Sequence, residues 1–231
     1  MKNFTNRFFN KNKSPVVNPN SKYFEVNNWL ISDFILKKVI PLVGVHPYPL
    51  NELMLMVAAV CRIRPTHIFE WGTHLGKSAR IFYETVKFFK INSEVHSIDL
   101  PDSVKHQEHL GSQKAELVKN IKSVKLYQGD GLTVALKLCR QLKPSMPLFF
   151  LDGDHRYQSI KRELAGIAKN ISLAHILIHD TFNQSKRSGY NTGPYRVIKA
   201  FLVKVPRHRY QVIETGTGLP GMTFFISPLI I

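Results

Sequence analysis

Apolar residues along this chain change their spacing near residue 65. Before it, "NNWLISDFILKKVIPLV" and "LNELMLMVAAVCRI" place apolar side chains three and four apart, the period of a helix. The second run stops before Pro65, which disfavours helical backbone in the residue ahead of it. From Thr66 onward short apolar runs alternate with helix-period stretches. "THIFEW", "EVHSIDL", "VKLYQG", "PLFFLDG" and "HILIHD" predict strands. "KSARIFYETVKFF", "QKAELVKNI", "LTVALKLCRQL", "YQSIKRELAGIA" and "RVIKAFLVKV" predict helices. Such alternation implies a parallel sheet with helices on both faces and every strand's C-terminal end on one rim. The tail differs: "RYQVIET" and "MTFFISP" flank "GTGLPG" and read as an antiparallel hairpin. The expected fold is α/β and Rossmann-like, a seven-stranded, mostly parallel sheet with a C-terminal antiparallel hairpin.

Residues 1–22 are rich in Asn and Lys, contain Pro15 and Pro19, and read as a flexible basic arm. Residues 23–64 read as an N-terminal helical cap and 65–231 as the main domain. A chain of 231 residues suffices for one sizeable core. Its net charge of +16 favours anionic partners, although the charge is spread out and serves solubility equally well. Cys61 and Cys139, with no CxxC, argue against a disulfide framework or a cysteine zinc site and suit a reducing, cytoplasmic setting. No apolar run is long enough for a membrane span. The start has no acid before Glu25, as transit peptides do not, but it is poor in arginine.

"EWGTHLGKS" sits between the first strand and its helix and ends like a phosphate-binding loop. That loop needs four residues between its glycines, and Gly72 and Gly76 have three. The dinucleotide pattern fails too, since its second and third glycine positions hold His74 and Lys77. What remains is Glu-x-Gly-x-x-x-Gly, a loop that lets backbone approach a ligand closely. This stretch resembles the first motif of class I S-adenosylmethionine (SAM) methyltransferases, above all small-molecule O-methyltransferases of the catechol and macrocin types. The resemblance runs from about Leu50 to the C terminus, which makes 65–231 a SAM-binding methyltransferase domain. It implies that Glu70 orders the loop and that Gly72, Thr73 and Gly76 lie along the methionine part of SAM. Ser78 would then sit near the SAM carboxylate. Asp99, closing the second strand, would take the ribose hydroxyls. Gly129, Asp130 and Gly131 would flank adenine, with Asp130 a candidate acceptor for its amino group. Trp71 is a candidate shield for the sulfonium.

Two more acids fall at strand ends, Asp152 in "LDGDHRY" and Asp180 in "HILIHDTF". Converging carboxylates need a cation, protons or basic partners. The resemblance implies Mg²⁺ held by Asp152 and Asp180, with Asp152 also beside SAM. Thr181 stands where catechol-type enzymes carry Asn, and it is the third candidate ligand. His155 occupies the place of the catechol-type catalytic lysine, with Asp154 the competing base; "DGDH-x-Y" favours the macrocin branch. Each acid alone could merely cap a turn or helix; their recurrence at successive strand ends argues for a site. His175 and His179 lie four apart in a strand, roughly 13 Å, and cannot share one ion. Asn183 to Tyr195 reads as a substrate lid, with Lys186 and Arg187 hinting at an anionic acceptor.

The expected activity is SAM-dependent, Mg²⁺-assisted O-methylation of a small hydroxylated acceptor, a sugar first. An RNA methyltransferase is the charge-motivated rival, without a recognisable RNA-binding module or aromatic-basic stripe. A SAM-binding relative without methyl transfer is the third reading. The N-terminal helices are candidates for a homodimer contact or for covering the acceptor pocket.

Overall fold

The structure, a computed structural model, describes residues 14–16, 18, 21–104, 113–185, 187, 190–206 and 208–228. Most of the expected basic arm and Lys186 lie outside these residues. The strands are β1 His67–Trp71, β2 Glu94–Asp99, β3 Val124–Gln128, β4 Pro147–Leu151, β5 His175–His179, β6 Gln211–Glu214 and β7 Met222–Ile226. They form one seven-stranded sheet in the order β3-β2-β1-β4-β5-β7-β6. Pairing is parallel from β3 to β5, and β7 runs antiparallel to β5 and β6. This is the fold expected from the apolar pattern. Strands β4, β5 and β7 are buried at every position, whereas the edge strands β3 and β6 are largely open.

The helices are α1 Asn28–Phe34, α2 Ile40–Val43, α3 Leu50–Ile63, α4 Lys77–Phe88, α5 Gly131–Leu142, α6 Tyr157–Asn170 and α7 Gly193–Lys204. A π-helical turn, Ile35–Val39, joins α1 to α2. Strand parity divides the core in two. Ile68, Leu148, Phe150 and Leu177 pack with α1, α3 and α4, whereas Phe69, Phe149, Leu151 and Ile176 pack with α5, α6 and α7. The helices ahead of β1 therefore share a core with the sheet instead of forming a separate layer. The same parity directs Glu70, Ser97 and His179 towards α3 and α4, and His67 and His96 to the other face.

The helix expected over "QKAELVKNI" does not form; residues from Gln113 to Asn120 make a succession of turns. Ala115 adopts φ 57°, its N–H donates to the His74 carbonyl at 2.7 Å, and the Leu117 N–H donates to Leu75 at 3.1 Å. These donors serve the glycine loop, a long-range partnership that helical spacing cannot report. Among the described residues, no helix is long and apolar enough to cross a membrane.

Candidate active site

The glycine loop leaves β1 at Gly72, whose φ is 93°. A Cβ there would stand 2.2 Å from the Asp152 carbonyl oxygen, so the loop after β1 and the turn after β4 touch through bare backbone. Beneath the loop, Glu70 is fully buried. It accepts from the Ser78 hydroxyl at 2.9 Å and from the Ser97 hydroxyl. Thr73 joins the network through Ser97, 2.6 Å away. Glu70 thus ties β1, β2 and α4 together, and the Thr73 and Ser78 hydroxyls turn inward to this network.

Burial pushes the Glu70 carboxyl up from 4.5 to about 7, against the two serine donors. Burial raises Glu163 to about 7 as well. A carboxyl that binds its proton more tightly when folded adds stability fully below its unfolded pKa and loses that share as pH climbs through the folded one. Each residue should cost on the order of 3 kcal/mol between pH 4.5 and about 7. Glu70→Gln is expected to remove roughly half of this decline in urea unfolding across that range; an unchanged slope would place the cause elsewhere.

Asp99 closes β2 half-buried, accepting from the Leu100 N–H at 2.8 Å and the His74 N–H at 3.3 Å, with Lys114 Nζ 3.8 Å away. Each Asp99 oxygen thus carries a backbone donor, and the side chain stays partly exposed on the rim. Asp130 caps α5, taking the Thr133 N–H at 2.9 Å, and pairs with Arg162 at 2.5 Å. The hydrogen bonds from Arg162 pull its carboxyl down to about 2. Both Asp130 oxygens are thus engaged within the protein. Gly129 has φ 148°, and Gly131 must be glycine because a Cβ would lie 2.4 Å from the Trp71 ring. The Trp71 indole is buried under Gly131 and Gly153 in the α5 and α6 core.

Past β4 and β5 the acids and histidines interlock. Asp152 accepts from the Tyr48 hydroxyl at 2.5 Å through one oxygen, and its other oxygen lies 2.8 Å from His179 Nδ1. His179 Nε2 stands 3.1 Å from Glu52 of α3, whose second oxygen accepts the Gly221 N–H at 2.7 Å. Burial alone would lower the His179 pKa, but the Asp152 and Glu52 carboxylates raise it well above the usual imidazole range. The geometry thus favours the protonated form of this buried imidazole. Burial likewise pushes Asp152 up, and His179 more than offsets it, keeping the carboxylate ionised. Asp180, at φ 59°, accepts from the Tyr190 hydroxyl at 2.8 Å and the Asn191 amide at 2.6 Å. His155 spans the acids, with Nδ1 3.1 Å from Asp180 and Nε2 3.8 Å from Asp152.

Asp154 is otherwise committed. Arg156 grips it through Nε and Nη2, at 2.8 Å and 2.5 Å from Oδ2, and Ser159 donates at 2.5 Å. Against the cost of burial, these donors hold its carboxyl well below the usual range, which makes it a poor proton acceptor. Thr181 is not brought together with Asp152 and Asp180, since its buried hydroxyl accepts from Thr223 at 2.9 Å. Mg²⁺ would need carboxylate oxygens open at about 2.1 Å. Here the oxygens of Asp152 and Asp180 meet hydroxyl, amide and imidazole groups, and His155 fills the gap between them. As arranged, the set Asp152, Asp180 and Thr181 does not fit Mg²⁺.

Glu52 and Tyr48 escaped the reading of the sequence. The signal for Glu52 was present, as an acid in a helix otherwise apolar almost all round. His179 was weighed only as a metal-ion partner of His175, and Tyr190 and Asn191 only as part of the lid segment.

A parallel sheet whose last strand reverses direction, with acids at the C-terminal ends of β1, β2 and β4, is the construction of class I SAM-dependent methyltransferases, and that is the class of this chain. Within it, the chain belongs to the rhamnosyl O-methyltransferase/CmcI family, whose model matches residues 43–224. No curated protein matches the sequence. Among solved structures, the O-methyltransferase NovP is similar at 12% identity and TM-score 0.57, over 88% of this chain and 100% of its own. The O-methyltransferase TomG from Streptomyces achromogenes, involved in tomaymycin synthesis and solved with SAM, aligns at 16% identity and TM-score 0.54, over 87% and 97%. CalS11, a TDP-rhamnose 3'-O-methyltransferase of calicheamicin biosynthesis, aligns at 14% and 0.54, over 84% and 86%.

Proposed function

We propose that this protein methylates a hydroxyl of a sugar or natural-product-like small molecule, with His155 receiving the hydroxyl proton and no divalent cation in the step. The observation that carries the reading is the His155 imidazole held between the carboxylates of Asp152 and Asp180. When bound, SAM supplies a methyl group activated by its sulfonium. The rim suits that cofactor: Gly72 and Gly129 leave backbone bare, and Asp99, partly exposed at the end of β2 and held by one backbone N–H on each oxygen, has lone pairs left for a pair of hydroxyls. Asp180, 3.1 Å from Nδ1 of His155, orients the ring so that Nε2 is the nitrogen offered to the hydroxyl. Both flanking acids then stabilise the imidazolium that forms. Asp152, kept ionised by His179, adds negative charge where a sulfonium would be drawn. Family membership and the rhamnose named for CalS11 support a sugar hydroxyl. The net charge of +16 favours an anionic one, such as a sugar carrying phosphate.

The test is calorimetric titration of SAM, then methyl incorporation into hydroxylated acceptors with and without EDTA. Asp99→Ala should weaken SAM at least about tenfold, through loss of hydrogen bonds to a charged group. Turnover should persist in EDTA. Folded wild type that ignores SAM would sink the reading, and SAM binding without transfer to any acceptor would favour a non-catalytic relative.

A further inference from the structure

At the opposite end of the sheet from the rim, β1 and β2 place three metal-capable side chains on one face. His67 pairs with Glu94 in the parallel register, and His96 follows two residues later. His67 Nδ1 lies 3.0 Å from His96 Nε2, and a Glu94 oxygen lies 3.8 Å and 3.7 Å from these nitrogens. Among the described residues, no other trio of His, Cys, Asp or Glu gathers its ligand atoms within 4.8 Å of one another. Ligands bound tetrahedrally at about 2.0–2.1 Å stand roughly 3.3 Å apart, so small shifts would complete the triangle.

We propose that His67, Glu94 and His96 bind a divalent transition metal of the zinc class. Imidazole nitrogen with one carboxylate selects such a cation over Mg²⁺. The site is braced from behind. The Tyr127 hydroxyl lies 3.3 Å from His96 Nδ1, where it can accept that N–H when Nε2 serves the metal. Phe69 stacks on the His96 ring with centroids 4.8 Å apart. Without metal, one proton lies between the facing nitrogens. On binding, it moves from Nδ1 to Nε2 of His67, and both imidazoles stay neutral. Glu94 is exposed, which leaves a fourth position for water. Lys125, beside His96 in the register, is the opposing cation, and the Glu94 charge counters it. The metal would clamp β1 to β2 next to Ser97, which holds Glu70 from the other face.

Co²⁺ titration of the full-length protein should give the visible absorption of a tetrahedral site at one equivalent, displaced by Zn²⁺, and Zn²⁺ should raise the Tm. His67→Ala and Glu94→Gln should each weaken affinity at least about tenfold, and Tyr127→Phe about tenfold. Glu94 is exposed, so its variant retains the fold even if His67→Ala does not. The proposal is overturned if the tetrahedral spectrum is absent, or if it persists undiminished in Glu94→Gln.

Discussion

Glutamine at position 155 is expected to lower kcat about 10²–10⁴-fold, the share a positioned proton acceptor contributes, while leaving SAM affinity near the wild-type value. Glutamine keeps the size and hydrogen-bonding capacity of the imidazole but cannot accept a proton. The other nearby candidates are poorly suited to the task. Asp154 is gripped by Arg156, His179 faces a carboxylate from each ring nitrogen, and both Asp152 oxygens have partners. The pH–rate profile separates a base from a merely structural residue: its acid limb should be present in the wild type and absent in His155→Gln. A variant with unaltered kcat and an unaltered acid limb would transfer the role to Asp152. Asp154→Asn serves as the contrast, expected to disturb the turn before α6 and to leave the acid limb in place.

The fold was legible because its strands are short and apolar and its helices have clear periods, so the order of elements alone implied the sheet. The exception, the segment from Gln113 to Asn120, has a helical pattern but spends backbone donors on His74 and Leu75. The rim acids were legible for a related reason: in a parallel sheet a strand's last residue is placed by topology, whatever its side chain contacts. What those acids contact was not legible. Tyr48 reaches Asp152 across 104 positions, and Glu52 accepts from Gly221 across 169. Nothing periodic links such pairs. The Mg²⁺ expectation came from the family resemblance, and nothing in the sequence signalled that His155 would stand between the two acids or that His179 would face Asp152.

The charges around His179 lead to the largest expected effect on stability. Glu52→Ala should destabilise the fold by about 3 kcal/mol, the lower end of the range for unpairing a buried charge, because Asp152 still faces His179. The Gly221 N–H loses its acceptor as well. Glu52→Gln separates the two terms, since it keeps the volume and an acceptor for Gly221 while removing the charge. Linkage fixes the pH dependence. His179 has a folded pKa raised above its ordinary 6.5, so its contribution is complete below pH 6.5 and disappears as pH rises through the folded value. Both variants lower that folded value, and the alkaline loss of stability should begin at lower pH in each. Urea unfolding from about pH 6 to 9, with the His179 ring followed by NMR, reads both effects. If Glu52→Gln matched the wild type in stability and in His179 titration, Glu52 would be a packing residue, and Asp152 alone would hold the imidazolium.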